Sequence, residues 1–214
     1  ALGRHVLRLV VRNGDGDENE DSVVLWVRQG TYEVNTVEAI QSAIDNANPG
    51  AAVALVPGEY QLTGTIYVRN GVTLRGKTGS YGDVTLIGGG TAKPFVGVSL
   101  SDAGSTLSSL TVTGCAGRLE SAADVGGVLM GANTVVTNCR VTANITRSYV
   151  CKGAGIQNHG GLVTHSLIDG NHNDVYDRAD AVGYYQEYGT IRNTQIVSNY
   201  CGTIGTVRPT GEDL

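Results

Sequence analysis

Four segments of this chain can be laid over one another: Leu107-Ser-Ser-Leu-Thr-Val-Thr-Gly-Cys115, Val136-Thr-Asn-Cys-Arg-Val-Thr-Ala-Asn144, Val163-Thr-His-Ser-Leu-Ile-Asp-Gly-Asn171 and Ile191-Arg-Asn-Thr-Gln-Ile-Val-Ser-Asn199, with starts 29, 27 and 28 residues apart. Each opens on an aliphatic residue, carries Leu, Cys, Ser or Thr three places on, a β-branched residue at the sixth place and Cys or Asn at the ninth. About ten residues upstream of each opening lies a glycine-containing stretch: Val96-Gly-Val98, Gly126-Gly-Val128, Gly153-Ala-Gly-Ile156 and Ala181-Val-Gly183. Two strands per repeat are visible and a third fits. Period-two apolar patterning broken by corners and repeated at this interval predicts a chain wound into a solenoid, one coil per repeat.

In such a coil, strands of successive turns pair in parallel about 4.8 Å apart, so equivalent residues stand over one another. Asn144, Asn171 and Asn199 would then stack as an inward-facing ladder, each amide bonding to the next and satisfying a corner. Their structural role outranks a catalytic one. Composition agrees with a thin interior: 31 glycines against 4 prolines, and Phe, Trp and Met once each. With so few large rings, the core is expected to be stacked from Val, Ile, Leu, Ala and small polar residues. Five of the ten tyrosines (Tyr176, Tyr184, Tyr185, Tyr188 and Tyr200) crowd into the last 40 residues. Rings that do not fit a narrow core are expected outside it, either contacting sugar or stacking across coils to hold a loop.

Residues 1–30 read differently. Val6 to Val11 and Val23 to Val27 are apolar runs around the acidic turn Asn13-Gly-Asp-Gly-Asp-Glu-Asn-Glu-Asp21, a β-hairpin pattern that looks like the end of an immunoglobulin-like domain. The turn matches a calcium loop at Asp15, Asp17 and Asn19 but has Glu20 at its sixth position and Trp26 at its twelfth, so a solvated turn is the better reading. Asn35-Thr-Val-Glu38 has the form of a capping box with Asn35 as N-cap. Val37, Ile40, Ala43, Ile44 and Ala47 then share one helical face, and Asn48-Pro49-Gly50 ends the segment. A single amphipathic helix followed only by strand signals is most simply a lid on the open end of the stack.

The net charge of −5 gives no basic excess to displace counterions, which argues against a nucleic-acid binder. No run of 18 apolar residues occurs, so no membrane insertion is expected, and the amino end lacks a signal-peptide pattern. The chain starts without Met and reads as a processed product or a piece of something longer. Cys115, Cys139, Cys151 and Cys201 show no zinc spacing and are either two disulfides or buried thiols. Asn144-Ile-Thr146 is a glycosylation sequon, relevant only in a eukaryotic secretory route.

The helix Ala39-Ile-Gln-Ser-Ala-Ile-Asp-Asn-Ala47, the strand Val53-Ala-Leu-Val-Pro-Gly-Glu-Tyr60, the strand Gly71-Val-Thr-Leu-Arg-Gly76 and the repeated Val-Thr-Asn-Cys-Arg-Val-Thr-Ala-Asn pattern resemble the right-handed parallel β-helix proteins of the pectin-lyase-like superfamily. The resemblance covers residues 32–205. It implies an all-β solenoid of about five to six coils over 31–214, with an amino-terminal capping helix, preceded by the 1–30 hairpin. Gly153-Ala-Gly-Ile-Gln-Asn158 and the following repeat also resemble bacterial adhesins and autotransporter passengers. The superfamily holds polysaccharide lyases, glycoside hydrolases, tailspikes and adhesins, so the resemblance specifies fold better than chemistry.

Enzymes of that fold work on the outer face of one parallel sheet, and its calcium-dependent lyases hold the metal with an Asp/Glu cluster while Arg or Lys removes a sugar-ring proton. The richest polar stretch here runs from Asp169 to Asp180. It nominates Asp174, Asp177, Arg178 and His172 as catalytic candidates, Asp169, Asp174, Asp177 and Asp180 as calcium ligands, and Tyr176, Tyr184, Tyr185 and Tyr188 as substrate contacts. A long solvated corner loop is the plainer reading of the same stretch. The hydrolase pattern is incomplete: Asn158-His159-Gly160 and Ile191-Arg192-Asn193 lack an Asp pair on the preceding coil. His159, His165 and His172 have no metal spacing and read as surface or turn histidines. The expectation is an extracellular or cell-surface bacterial-type β-helix that binds and could cleave polysaccharide. The alternative is a non-catalytic structural or adhesive solenoid. With no second amphipathic lid, the carboxyl end is expected to be covered by further coils, another domain or a partner chain.

Overall fold

The computed structural model describes residues 3–12, 14–16, 18–27, 30–117, 125–147, 151–174 and 179–201. It divides into two units, 1–30 and 31–214. In the first, strands Gly3–Arg12 and Glu18–Val27 pair antiparallel, from Gly3 opposite Val27 to Arg12 opposite Glu18, with Gly16 at φ 88° in the acidic turn.

The second unit is a parallel β-solenoid of about five turns. One stack of strands runs Thr31–Val34, Ala52–Leu55, Thr73–Gly76, Thr106–Ser108, Val135–Thr137 and then into Ile156–Thr164 and Tyr184–Arg192. A second runs Gly58–Gln61, Val84–Ile87, Thr111–Thr113, Arg140–Thr142, Leu167–Asp169 and Gln195–Val197. A third climbs from Ile66–Val68 through Val98–Leu100 and Val128–Met130 to the first halves of the same two long strands. Equivalent residues form vertical columns: Val53, Leu74, Leu107, Val136, Val163 and Ile191 in the first stack, and Tyr60, Leu86, Val112, Val141, Ile168 and Ile196 in the second. The repeated aliphatic positions of the sequence are these columns.

The asparagine ladder forms as the spacing predicts. Asn171 Oδ1 accepts from the Asn144 backbone N–H and from Asn144 Nδ2, both at 3.0 Å, while Asn171 Nδ2 donates to Val141 O at 2.9 Å and to Asn199 Oδ1 at 2.9 Å. Cys115, the ninth residue of the first repeat, tops it by donating its N–H to Asn144 Oδ1 at 3.0 Å. Across the interior the upstream glycines face the ladder. A Cβ on Gly155 would lie 2.4 Å from Gly183 O and 2.8 Å from Asn171 Nδ2, so only glycine admits the amide there. Glycine and asparagine of the repeat are therefore one packing device. Immediately before each ladder residue sits a left-handed corner at Gly114, Ala143, Gly170 or Ser198, and a second set occupies Ser109, Asn138, His165 and Asn193. Placing Ala143 at φ 52° costs about 1–2 kcal/mol, and the buried Asn144 amide that follows it offsets that cost by accepting from Cys115 N–H and donating to Val112 O.

The helix Val37–Asn46 seats Ile40 and Ile44, both fully buried, on the amino-terminal coil. Burying each stabilises by about 1.5–3 kcal/mol. Its N-cap corrects the sequence expectation: Thr36 holds the extended cap conformation without a side-chain bond, and Asn35 lies one residue outside. Strand Thr31–Val34 ends on buried Val34, and the chain has only two residues before helical Val37, which leaves Asn35 too early to cap. Glu38 still opposes the helix dipole from the first turn. Among the described residues, no helix is long and apolar enough to cross a membrane.

Candidate functional site

The outer surface of the last three described coils carries three polar groupings, each joining side chains one coil apart. On the second stack, Arg140 Nε and Nη2 donate to the two oxygens of Asp169 at 3.0 and 2.7 Å. The bond to Asp169 pushes the Arg140 guanidinium further toward its charged form. Arg140 thus engages both Asp169 oxygens, each of which keeps a further lone pair.

At the next corner, Ile145, His172 and Tyr200 are cross-strand neighbours. The His172 and Tyr200 rings stack at 5.1 Å and 3°. Asp174 receives Arg147 Nε on Oδ2 and His172 Nε2 on Oδ1, both at 3.2 Å. His172 Nδ1 is buried and has no hydrogen-bond partner among the described residues. The imidazole is thus occupied on one nitrogen and covered on the other, so it reaches a substrate only after moving off Asp174.

The structure therefore brings His172 and Asp174 together and adds Arg147, together with Tyr200 of the five crowded tyrosines, stacked across coils on His172. It sets Asp169 on a different cation from Asp174. Tyr176, Asp177 and Arg178 lie outside the described residues, as does the side chain of Asp180. Among the described residues, no three His, Cys, Asp or Glu groups converge as a cation site.

The third grouping lies where Ile156–Thr164 runs beside Tyr184–Arg192. Register slips between Asn158 and His159 and again between His159 and Leu162, which marks bulges that re-aim side chains. His159 Nδ1 and Glu187 Oε2 meet at 2.5 Å, with His159 opposite Tyr188, which is 68% exposed. Tyr185 lies beneath Lys152, whose Nζ is 5.4 Å from the ring centroid. Tyr184 departs from the expected exterior position. It packs against the core, stacked under Ile156, and its hydroxyl accepts from buried Asn158 Nδ2 at 2.9 Å and donates to Gln186 Oε1 at 2.7 Å. Tyr60 is likewise interior, donating to Val34 O and Val56 O. Phenol rings enter this core where their hydroxyls find partners.

The signal that would have found these groupings is the period itself. His159 and Glu187 are 28 apart, Arg140 and Asp169 are 29 apart, and Arg147 and Asp174 are 27 apart. Opposite charges separated by one coil are neighbours in this fold. Cys115, Cys139 and Cys151 are buried thiols, one of the two alternatives that the sequence left open. Burial pushes the Cys115 and Cys139 thiols up to about 12.

No family model matches the chain, and no curated protein matches it. Among solved structures, it is similar to an alginate lyase from a Paenibacillus species, at 15% identity with a TM-score of 0.28. That similarity covers 80% of this chain and 66% of the lyase, just under two-thirds of its length. The solenoid assignment rests on the strand topology.

Proposed function

We propose that this chain is a secreted or cell-surface β-helix of the pectin-lyase-like type that binds polysaccharide along the outer face of its last two coils, with Tyr185 and Tyr188 as the contacting rings. The observation that carries this is Tyr188: a tyrosine 68% exposed on a strand cross-paired at a bulge, beside the His159–Glu187 pair. A flat apolar face with a wet hydroxyl suits the C–H face of a pyranose. Affinity electrophoresis through gels cast with plant, algal and microbial polysaccharides tests it. Retardation by at least one polymer, reduced about tenfold in affinity by Tyr188→Ala, is the expected outcome. Migration of the variant identical to the parent on every retarding polymer would remove Tyr188 from the site.

A second reading has its own observation. Arg147, His172 and Asp174 converge at the neighbouring corner, with one imidazole nitrogen unpartnered among the described residues. That set supports lyase-type proton abstraction from an acidic sugar if His172 leaves Asp174. Appearance of unsaturated-uronate absorbance, with and without calcium, and its loss in Asp174→Ala and Arg178→Ala test this reading. A broad uronate panel that stays silent leaves the corner a structural pair.

A further inference from the structure

We infer that the His159–Glu187 pair, together with Tyr188, is a recognition site for uncharged sugars bearing adjacent hydroxyls, and that it discriminates against uronates. This rests on the polysaccharide-binding reading above and specifies what that surface selects.

The pair is held rather than draped on the surface. Behind it, fully buried Asn158 makes four hydrogen bonds: its Oδ1 accepts from Gly160 N at 3.1 Å and Gly161 N at 2.7 Å, and its Nδ2 donates to Gly161 O at 3.1 Å and Tyr184 Oη at 2.9 Å. The facing strand comes so close that a Cβ on Gly189 would fall 2.3 Å from Gly161 O. The corner backbone that presents His159, and the coil below that presents Glu187 and Tyr188, are therefore preorganised, which lowers the ordering cost of binding.

The chemistry on offer is acceptor chemistry. With His159 Nδ1 engaged by Glu187 Oε2, Glu187 keeps its second oxygen as an acceptor. Acceptors need donors, and sugar hydroxyls supply them. Hydrogen bonds from two adjacent hydroxyls to a carboxylate are charge-assisted and orient the ring, with Tyr188 beside them to carry its apolar face. A uronate carboxylate would instead meet the Glu187 carboxylate. Of the nearby described cations, Arg140 is bound to Asp169, Arg147 to Asp174, and Lys152 lies over Tyr185. Lys152, standing over the neighbouring Tyr185, would favour a uronate, so it enters the test.

The experiment uses the full chain with neutral probes (a β-glucan and a galactomannan series) and acidic probes (polygalacturonate and alginate oligosaccharides), titrated by calorimetry. Neutral oligosaccharides should bind at least about tenfold tighter than uronates of equal length, the factor that a like-charge contact near a protein surface carries. Glu187→Gln keeps the shape and removes the charge, so the preference should narrow to below about threefold through improved uronate binding. Tyr188→Ala should weaken every ligand that binds. Uronates bound as tightly as neutral sugars or tighter, with the preference reversed by Lys152→Ala, would overturn the inference while leaving the Tyr188 surface intact. A preference unchanged by Glu187→Gln would overturn it too. No binding to either class, with Tyr188→Ala silent, sinks the parent reading and the inference together.

Discussion

The two ends of the solenoid are built from the same repeat and behave oppositely. At the amino-terminal end the columns are closed: Val53, Leu55 and Leu74 are fully buried, Tyr60 is sealed by two backbone acceptors, and the helix lays Ile40 and Ile44 over the opening. At the other end the same columns finish on half-buried Ile191 and Ile196. The interior column Val68, Leu100, Met130 turns polar at Asn158 and Gln186. Apolar burial stabilises the first coils, and paired amides and cross-coil ion pairs organise the last. The outward-facing chemistry is concentrated at the polar end, where holding a side chain in place depends on directional bonds.

The largest expected effect probes the ladder. Asn171→Ala strands the Asn144 N–H and the Val141 carbonyl in a fully buried site and should cost about 4 kcal/mol, whereas Asn199→Ala, at the half-buried end, should cost about 1.5 kcal/mol. Urea denaturation of both measures the difference, and equal losses would mean that the ladder is no stronger inside than at its end. Next, Ile44→Ala should cost about 3 kcal/mol and Ile196→Ala about 1 kcal/mol, because only the first leaves a sealed cavity. A reversed order in thermal melts would show that the closed end is not the more tightly packed one.

Thiol chemistry sharpens the same contrast without altering the chain. Cys115 and Cys139 are sealed and pushed up to about 12, while Cys201 lies half-buried on the last coil. At pH 8 a disulfide reagent should modify Cys201 about 100-fold faster than Cys139, since thiolate and access are both needed. Peptide mapping of partially labelled protein reads the order. The smallest effect belongs to the cap. Hydrogen bonds from Gln41 and then Arg69 hold the Asp45 carboxyl below its ordinary value. A carboxyl lowered by folding stabilises above about pH 4 and loses that contribution as pH falls through its folded value. On so exposed a pair, Asp45→Asn should cost below about 0.5 kcal/mol at pH 7 and nothing at pH 2.

The winding was readable because a solenoid writes its geometry into the chain as a period. The aliphatic columns, the asparagine ladder and the lid helix each follow from spacing alone, since every coil must place the same residue over its neighbour. The N-cap was misread because Asn35 satisfies a local rule, and only the burial of Val34 sets where the helix can begin. Tyr184 was misread because its core position depends on Asn158, a partner 26 residues away.

By itself, then, the sequence determined what repeats: the fold, the interior columns and the amides that join them, all enforced by hydrophobic burial and backbone pairing that act alike on every coil. Among the charges that the period sets one coil apart, tertiary structure decided which meet. It paired Arg140 with Asp169 and Arg147 with Asp174, and it turned His159 toward Glu187 through a slip in register. Hydrogen bonds act over about 3 Å, a distance that strand alignment sets one coil at a time.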